Sequence, residues 1–203
     1  MDMPGREQFR AAVLRYVELP GAHLLRALRL TPDAVTLLGF AVCVASAYLV
    51  GASWLLAGGI VFLAGSGLDL LDGALARLTG KVRPFGALLD SVFDRLGEAA
   101  IFLGLVIHGL RSDFSEDYQL FFITVMLLAL IFSQGVSYLR ARGEGLGVFT
   151  RAGIMTRPER VLLLGAGLIS NQIVWFALAI AVVSCVTLFQ RMFTIRSYLN
   201  KGG

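Results

Sequence analysis

Four aspartates at helical spacing are the residues of this chain best suited to do chemistry. Asp69 and Asp72 are three residues apart, and Asp90 and Asp94 are four apart, so each pair lies on one face of a helix. Both pairs, with Glu98, stand in apolar stretches, where a carboxylate is costly unless it is paired or neutralised. Two antiparallel helices that face each other would therefore bring four carboxylates to one point.

Four converging carboxylates need cations to remain ionised. Arg77 and Arg95 could offset at most two charges, whereas hard oxygen ligands suit Mg²⁺ or Mn²⁺, and no nearby His or Cys favours zinc. Such a set can hold two divalent ions, which clamp the attacking and leaving oxygens of a phosphoryl displacement. Spacing alone leaves two alternatives open: acids that are structural partners of the two arginines, and an ion pathway in a divalent-cation transporter.

The composition predicts an all-α membrane protein. Of the 203 residues, 57% are hydrophobic and 16% are charged, against about 25% charged in soluble domains. Six apolar runs are assigned as transmembrane helices, since a span takes about 20 residues. Tight reversals at 51–52 and 170–171 predict antiparallel neighbours. The predicted spans are 34–51, 53–78, 85–110, 118–139, 158–170 and 171–193.

Residues 1–30 are too charged to cross a bilayer. Phe9, Val13 and Tyr16 recur at helical spacing between arginines, which predicts an amphipathic helix in the cytosolic interface, its cations near anionic headgroups. Packing of this helix on the protein's own cytosolic face is the alternative, and the two are compatible. The chain is thus divided into a juxtamembrane helix at 1–30 and a six-helix membrane domain at 31–203.

The distribution of cations predicts the orientation. With six spans, both termini share one side of the membrane with the 79–84 and 140–157 connections. All of the 18 Lys and Arg residues except Arg95 and Arg111 fall on this side, and positive residues are in excess in cytoplasmic loops. We therefore expect a multi-pass protein of the cell membrane, with both termini and the aspartate site facing the cytosol.

The aspartates and their neighbours match a known signature. The segment from Asp69 to Arg77, followed by Gly86, Asp90 and Asp94, fills every fixed position of D-x2-D-G-x2-A-R-x8-G-x3-D-x3-D. This pattern resembles that of the CDP-alcohol phosphotransferase family. The resemblance implies a homodimer of six-helix subunits, in which an alcohol displaces CMP from a CDP-activated lipid.

The resemblance implies a role for each matching residue. Asp69, Asp72 and Asp90 would ligate one Mg²⁺ ion, with Mn²⁺ as the alternative metal. Asp69, Asp90 and Asp94 would ligate a second ion. Asp94 would also be the general base that takes the proton from the attacking hydroxyl. A Thr-Pro-Asp-Ala-Val-Thr stretch at 31–36 also resembles the family. The residues implied to bind the CDP-lipid are Pro32, Asp33, Ala34, Val35, Thr36, Gly73, Arg77 and Arg83.

Arginines near the cytosolic ends of the later spans are candidates for binding a phosphorylated acceptor. The fork of an Arg side chain binds phosphate well. The alternative is that they serve topology alone, because the positive-inside rule would also place cations there. The candidates are Arg140, Arg157, Arg160, Arg191 and Arg196.

Three segments, 86–95, 137–142 and 157–160, resemble the actinobacterial branch of the family that makes phosphatidylinositol phosphate. The resemblance implies CDP-diacylglycerol and inositol 1-phosphate (also numbered as the 3-phosphate) as substrates. The chain departs from that branch at Arg140, where Lys is common, and at Arg83, where Ser or Thr is. The alternative acceptor is glycerol 3-phosphate, as in phosphatidylglycerophosphate synthases. Membrane lipid and a second copy of the chain are the other expected partners, and nucleic acid is not expected.

Overall fold

The computed structural model describes residues 18–149 and 153–201, and within these ranges the chain is helical, with no strand. The elements are α1 (Leu19–Ala27), α2 (Pro32–Gly51), α3 (Leu55–Thr79), α4 (Pro84–Arg111), α5 (Glu116–Gly145), α6 (Arg157–Ile169) and α7 (Ile173–Lys201). Each of the six runs predicted as spans corresponds to one of the helices α2 to α7, so their prediction as helices is confirmed.

Among the described residues, four helices are long and apolar enough to cross a membrane, namely α2, α3, α5 and α7. These four make the chain a membrane protein. Helix α4 has 28 residues but carries several ionisable side chains, which lower its apolar character. Helix α6 has 13 residues and is therefore about 20 Å long, shorter than the hydrocarbon core of about 30 Å. The expectation of six complete spans therefore requires that α4 and α6 also cross the membrane.

Both predicted tight reversals are present in the structure. Helix α2 ends at Gly51 and α3 begins four residues later, with Ser53 at φ 66°. The connection between α6 and α7 has Asn171 at φ 55°. One residue in the left-handed region turns the chain sharply, and Asn adopts that region more readily than most residues do.

Helix α1 lies at the end of the segment that was predicted to be amphipathic. Residues 1–17, which contain Phe9, Val13 and Tyr16 of that predicted helix, lie outside the described residues. Ala22 and Leu25 of α1 are buried in an apolar cluster with Val35 of α2 and with residues of α3. On the other side, Leu24 and Leu28 are each 62% exposed. One face of α1 therefore packs on the protein, and its placement in the membrane interface stays a prediction.

The helices belong to two compact units. One comprises the residues up to Val44 together with Ala64–Gly97, and the other comprises Ala45–Leu63 together with the residues from Glu98 onward. In the first unit α2 and α3 approach closely where Gly39 faces Gly65, since a Cβ added at Gly39 would lie 3.2 Å from the carbonyl oxygen of Gly65. This approach brings the backbones of the two helices into contact near their aspartate-bearing ends.

The second unit is built around α7, which packs against both α5 and α6. Small residues again permit close approach. A Cβ at Gly135 of α5 would meet the side chain of Leu188, and one at Gly165 of α6 would meet that of Leu63. Because lipid tails are as apolar as leucine, such close van der Waals packing contributes much of the association between helices in a membrane.

Candidate functional site

Three of the four predicted metal-binding aspartates lie together in the first unit. Asp69 and Asp72 come from α3 and Asp90 from α4, and one carboxylate oxygen of each lies within 4.8 Å of the other two. Asp72 is buried, and the other two are half-buried. We call these three residues the aspartate cluster. The structure thus brings together, from two different helices, three of the four carboxylates that the spacing placed at one point.

Asp94 lies one turn beyond Asp90 on α4 and is not part of the 4.8 Å group. Its residue is half-buried, and its Oδ1 atom is buried. The four carboxylates therefore divide into a group of three and a fourth that follows one turn later on α4.

The aspartate cluster fits a divalent metal ion. Ligand oxygens that surround an octahedral Mg²⁺ at 2.0–2.1 Å are separated from one another by roughly 3 to 4 Å. Three oxygens already within 4.8 Å need to move little to reach that separation. Carboxylates are also the ligands that such hard cations prefer. The cluster could hold a Mg²⁺ or Mn²⁺ ion.

A hydrogen bond between helices fixes the orientation of one of these carboxylates. The Thr36 hydroxyl on α2 donates to Oδ2 of Asp72, and it lies 3.2 Å from the carbonyl oxygen of Pro32. Thr36 and Asp72 are each 5% exposed. The close approach of α2 and α3 at Gly39 and Gly65 is what allows a short Thr side chain to reach across. Thr36 therefore contacts the aspartate cluster directly.

Two of the cations predicted to bind the CDP-lipid are paired with acids. Nη2 of Arg77 lies 3.0 Å from a carboxylate oxygen of Glu18, and Arg83 pairs with Asp33. In both pairs the arginine is more than half exposed. An exposed ion pair contributes about 0 to 1 kcal/mol, so both guanidinium groups can exchange their partners for a phosphate at little cost.

The remaining predicted CDP-lipid residues differ in their surroundings. Pro32 and Ala34 are half-buried, whereas Val35 is fully buried in the apolar cluster beneath α1. The side chain of Val35 is therefore occupied by packing. At Gly73 an added Cβ would meet only Nη1 of Arg77, at 3.4 Å. Packing within the described chain does not require a glycine there, which is consistent with a position kept open for a ligand.

Three of the five predicted acceptor arginines lie near one another in the second unit. The charges of Arg140 on α5 and Arg160 on α6 both act on Arg191 of α7. Arg191 is buried and donates from Nη1 to the carbonyl oxygen of Val136, 2.8 Å away. We call Arg140, Arg160 and Arg191 the arginine cluster.

The other two candidates are not assigned to the arginine cluster. Arg157 is half-buried at the first residue of α6, and Arg196 is exposed on α7. Arg140 is also exposed, and it pairs with Glu144 one turn along α5 at 3.0 Å. The acceptor arginines thus range from fully buried to exposed, so they do not all have the same surroundings.

Arg160 is the most buried of these arginines, at 1% exposed. Its Nε lies 2.6 Å from Oε1 of Glu98 and its Nη2 lies 3.0 Å from Oε2, which makes a bidentate ion pair between α6 and α4. Nη2 also lies 3.3 Å from the Ser137 hydroxyl of α5. The start of α6 is held by a capping box, in which Glu159 accepts from the backbone N–H of Thr156 at 3.1 Å.

A family comparison decides the class of the protein. Residues 29–187 match the family model described as CDP-alcohol phosphatidyltransferase. The chain belongs to the CDP-alcohol phosphatidyltransferase family. It is therefore a transferase, and the resemblance predicted from the aspartate signature is confirmed.

Relatives within the CDP-alcohol phosphatidyltransferase family cover nearly the whole chain. It is similar to the archaetidylinositol phosphate synthase of Pyrococcus horikoshii, with 37% identity over 88% of this chain and 90% of the relative. It is also similar to the phosphatidylinositol phosphate synthase of Mycolicibacterium smegmatis, with 38% identity over 90% of this chain and 86% of the relative.

The fold is shared with a solved member of the CDP-alcohol phosphatidyltransferase family. A crystal structure of the Mycobacterium tuberculosis phosphatidylinositol phosphate synthase with manganese and citrate superposes with a TM-score of 0.79 at 32% identity, covering 88% of each chain. A second structure of that enzyme, with CDP-DAG bound, superposes with a TM-score of 0.77 at 33% identity, covering 88% of this chain and 93% of the other.

Sequence reasoning on this CDP-alcohol phosphatidyltransferase missed three acids that pair with its predicted site arginines. Glu98 pairs with Arg160, and Glu18 pairs with Arg77. Glu144 pairs with Arg140. The first had a signal, because Glu98 continues the four-residue spacing of Asp90 and Asp94. The pair between Glu144 and Arg140 is also visible as an i,i+4 spacing. Nothing in the sequence indicates a pair of residues 59 apart, as Glu18 and Arg77 are.

Proposed function

We propose that the chain transfers the lipid-phosphate group of a CDP-activated lipid to inositol 1-phosphate, releasing CMP and forming a phosphatidylinositol phosphate. The observation that carries this proposal is the aspartate cluster at the family signature, with carboxylates of α3 and α4 within 4.8 Å of one another. The arginine cluster on α5, α6 and α7 supports a phosphorylated acceptor. The names of the two relatives and of the solved enzyme all contain inositol phosphate.

The proposed reaction balances as a single displacement. The acceptor hydroxyl oxygen forms a bond to the phosphorus that carries the lipid, and the bond from that phosphorus to the oxygen of CMP breaks. Asp94 takes the hydroxyl proton, a role that its place outside the group of three carboxylates supports. Two divalent ions held by Asp69, Asp72, Asp90 and Asp94 would stabilise charge on the phosphoryl oxygens and on the departing CMP.

The chain's own residues would position the CDP-lipid. Arg77 and Arg83 are exposed arginines on weakly held ion pairs, and each can turn to a phosphate oxygen. Gly73 leaves room beside Arg77, so that the nucleotide can approach the backbone of α3. Holding both reactants near the metals supplies much of the rate, because phosphoryl transfer depends mainly on positioning and electrostatic stabilisation.

The names of the relatives suggest two types of lipid donor but a single acceptor. One relative is named for an archaetidyl product and the other for a phosphatidyl product, whereas both names share the inositol phosphate part. The solved M. tuberculosis enzyme has CDP-DAG bound. We therefore propose CDP-diacylglycerol as the donor and treat the ether-linked archaeal type as the second donor for the assay.

The proposal includes the placement of the chain in its membrane. Helices α2 to α7 would form six spans of a homodimeric subunit at 31–203, with α1 as part of the juxtamembrane segment. The cation-rich ends would face the cytosol, where inositol phosphate is dissolved and CMP is released. The length and apolar character of α2, α3, α5 and α7 support this topology.

A two-substrate assay tests the proposed function. The purified protein in lipid nanodiscs with Mg²⁺ and CDP-diacylglycerol receives inositol 1-phosphate, free inositol or glycerol 3-phosphate in separate reactions. We expect CMP release, and a lipid product with the mass of phosphatidylinositol phosphate, with inositol 1-phosphate alone. If only glycerol 3-phosphate supports turnover, the proposed acceptor is wrong and glycerol 3-phosphate takes its place. An absence of CMP release with every acceptor, from both types of CDP-lipid, would overturn the proposed reaction.

A further inference from the structure

Glu98 is a buried acid that the proposed reaction does not use. It lies on α4 and is 5% exposed, and its carboxylate binds the guanidinium of Arg160 through two hydrogen bonds of 2.6 and 3.0 Å. Arg160 is 1% exposed. This charged pair, which is almost fully shielded from solvent, joins α4 to α6, and both of its residues belong to the second unit.

Stability alone gives a weak reason to keep such a pair. The desolvation of two charges often offsets their attraction, and well-packed apolar residues of similar volume stabilise a protein as well or better. The pair does provide a fixed geometry, because a bidentate contact defines both the position and the plane of the guanidinium. A function that needs one orientation of Arg160 would account for it.

The hydrogen bonds of Arg160 determine which of its donors are used. An arginine has five N–H donors. Glu98 accepts from Nε and Nη2, and the Ser137 hydroxyl lies within 3.3 Å of Nη2. Within the described part of the chain, these contacts occupy the single donor of Nε and the two donors of Nη2, and they leave the two donors of Nη1 for a further partner. Glu98 and Ser137 together therefore set the direction in which Nη1 is presented.

Arg160 and the charged side chains linked to it through Arg191 and Glu98 have a net positive charge. Arg140 and Arg160 both act on Arg191, and Glu144 is the acid that acts on it with the opposite sign. With Glu98, three arginines face two acids. The net charge of these five side chains is thus positive, which favours the binding of an anion. The donor count and the charge both point to Arg160 as a ligand for a phosphate.

We infer that Glu98 is a positioning residue for the acceptor: it holds Arg160, with the help of Ser137, so that the guanidinium is oriented for the acceptor's phosphate before that substrate binds. This inference rests on the proposed function, because it requires a phosphorylated acceptor. Preorganisation of this kind reduces the ordering cost of binding. Its loss raises the acceptor's KM and leaves the KM of the CDP-lipid almost unchanged.

Two variants test the positioning role without removing a buried charge. Glu98→Asp keeps the negative charge but withdraws the carboxylate by one methylene, so Arg160 must move or lose a bond. Ser137→Ala removes only the third contact. The matched control is Ser46→Ala, which removes a buried serine whose hydroxyl donates to the carbonyl oxygen of Gly58 at 2.7 Å. Each protein is purified in nanodiscs, and its folded fraction is checked by thermal unfolding before kinetics.

We expect the KM for inositol 1-phosphate to rise about tenfold to hundredfold in Glu98→Asp and severalfold in Ser137→Ala, with the KM for CDP-diacylglycerol within about twofold of wild type. Ser46→Ala changes neither KM. Equal changes in both KM values, or no change in a folded variant, would overturn the inference. If Glu98→Asp does not fold, Ser137→Ala decides alone.

The same kinetics separate this inference from the proposed function. If the wild-type chain uses glycerol 3-phosphate, the proposed acceptor is wrong, yet the selective rise in the acceptor's KM remains measurable with that substrate. If the wild type uses inositol 1-phosphate and Glu98→Asp alters only the folded fraction, the proposed function stands and the role of Glu98 is structural.

Discussion

The hydroxyl of Thr36 on α2 donates a hydrogen bond to Oδ2 of Asp72 on α3, and both side chains are buried. Partners that orient a metal-ligating carboxylate typically change metal affinity by 10- to 100-fold when they are removed. We therefore expect Thr36→Val to weaken Mn²⁺ binding by about tenfold or more. Isothermal titration of the detergent-purified protein with MnCl₂ measures this directly, without turnover.

The control for Thr36 is its conservative replacement. Thr36→Ser retains the hydroxyl that reaches Asp72, so its Mn²⁺ affinity should stay close to that of the wild type. Unchanged affinity in Thr36→Val would show that the hydrogen bond does not orient the ligand. Equal losses in both variants would assign the effect to the packing of the Thr36 methyl group.

Asp94→Asn should abolish CMP release while one Mn²⁺ ion is still bound. The substitution removes the proposed base, which typically contributes about 10²- to 10⁴-fold in rate, but it leaves the aspartate cluster of Asp69, Asp72 and Asp90 intact. Asp69→Asn is the comparison, because it removes a shared ligand and should abolish Mn²⁺ binding together with turnover. Manganese stoichiometry and initial rates distinguish the two variants. Wild-type rates in Asp94→Asn would remove Asp94 from the mechanism.

Gly73→Ala should block use of the CDP-lipid without unfolding the protein. An added Cβ at Gly73 meets only the flexible end of Arg77, at 3.4 Å, so the helix itself tolerates it, and alanine favours a helix over glycine by about 1 kcal/mol. Gly67 on the same helix has nothing within 4 Å of an added Cβ, which makes Gly67→Ala the matched control. We expect the KM for CDP-diacylglycerol to rise at least tenfold in Gly73→Ala alone. Equal kinetics in the two variants would show that no ligand approaches Gly73.

Glu18→Gln should improve binding of the CDP-lipid slightly. The carboxylate of Glu18 competes with phosphate for Arg77, which is largely exposed. Because an exposed pair is worth about 0.2 to 1 kcal/mol, we expect the KM for CDP-diacylglycerol to fall by no more than about fivefold. Glu116→Gln, at the first residue of α5 in the other unit, serves as the charge control. A rise in this KM for Glu18→Gln would mean that Glu18 helps to hold Arg77 in place for the substrate.

The sequence predicted the parts of the site that depend on local spacing. The facing of Asp69 and Asp72 follows from the 3.6-residue period, and the pairing of α3 with α4 follows from a short connection between two apolar runs. Spacing therefore predicted the approach of Asp69, Asp72 and Asp90, but it also placed Asp94 at the same point, and the structure leaves Asp94 outside the group of three. The same reasoning correctly predicted six helical runs, because apolar length is also a local property.

Contacts between distant residues could not be predicted in the same way. Arg160 and Glu98 are 62 residues apart, and nothing in their neighbourhoods indicates which arginine meets which acid. Arg160 was predicted only as one of five similar cations, yet it is buried whereas Arg196 is exposed. Val35 shows the same limit, since its position in a family-like stretch does not reveal that its side chain packs beneath α1. Burial depends on the neighbouring helices, and a linear pattern does not contain them.

The proposed cytosolic location of the site predicts which loops accept a label from outside the cell. Asp113, between α4 and α5, and Asn200, near the end of α7, are both exposed and lie on opposite sides in the six-span topology. In a background with Cys43 and Cys185 replaced by alanine, a membrane-impermeant maleimide should label Asp113→Cys in spheroplasts and label Asn200→Cys only after lysis. The physical reason is the excess of Lys and Arg around the second position, which retains that side in the cytosol. Labelling of both positions from outside would contradict the six spans, since an odd number of crossings must separate the two positions. If only Asn200→Cys is labelled from outside, the orientation is the reverse of the proposed one, and the aspartates lie on the side of the membrane away from cytosolic inositol phosphate.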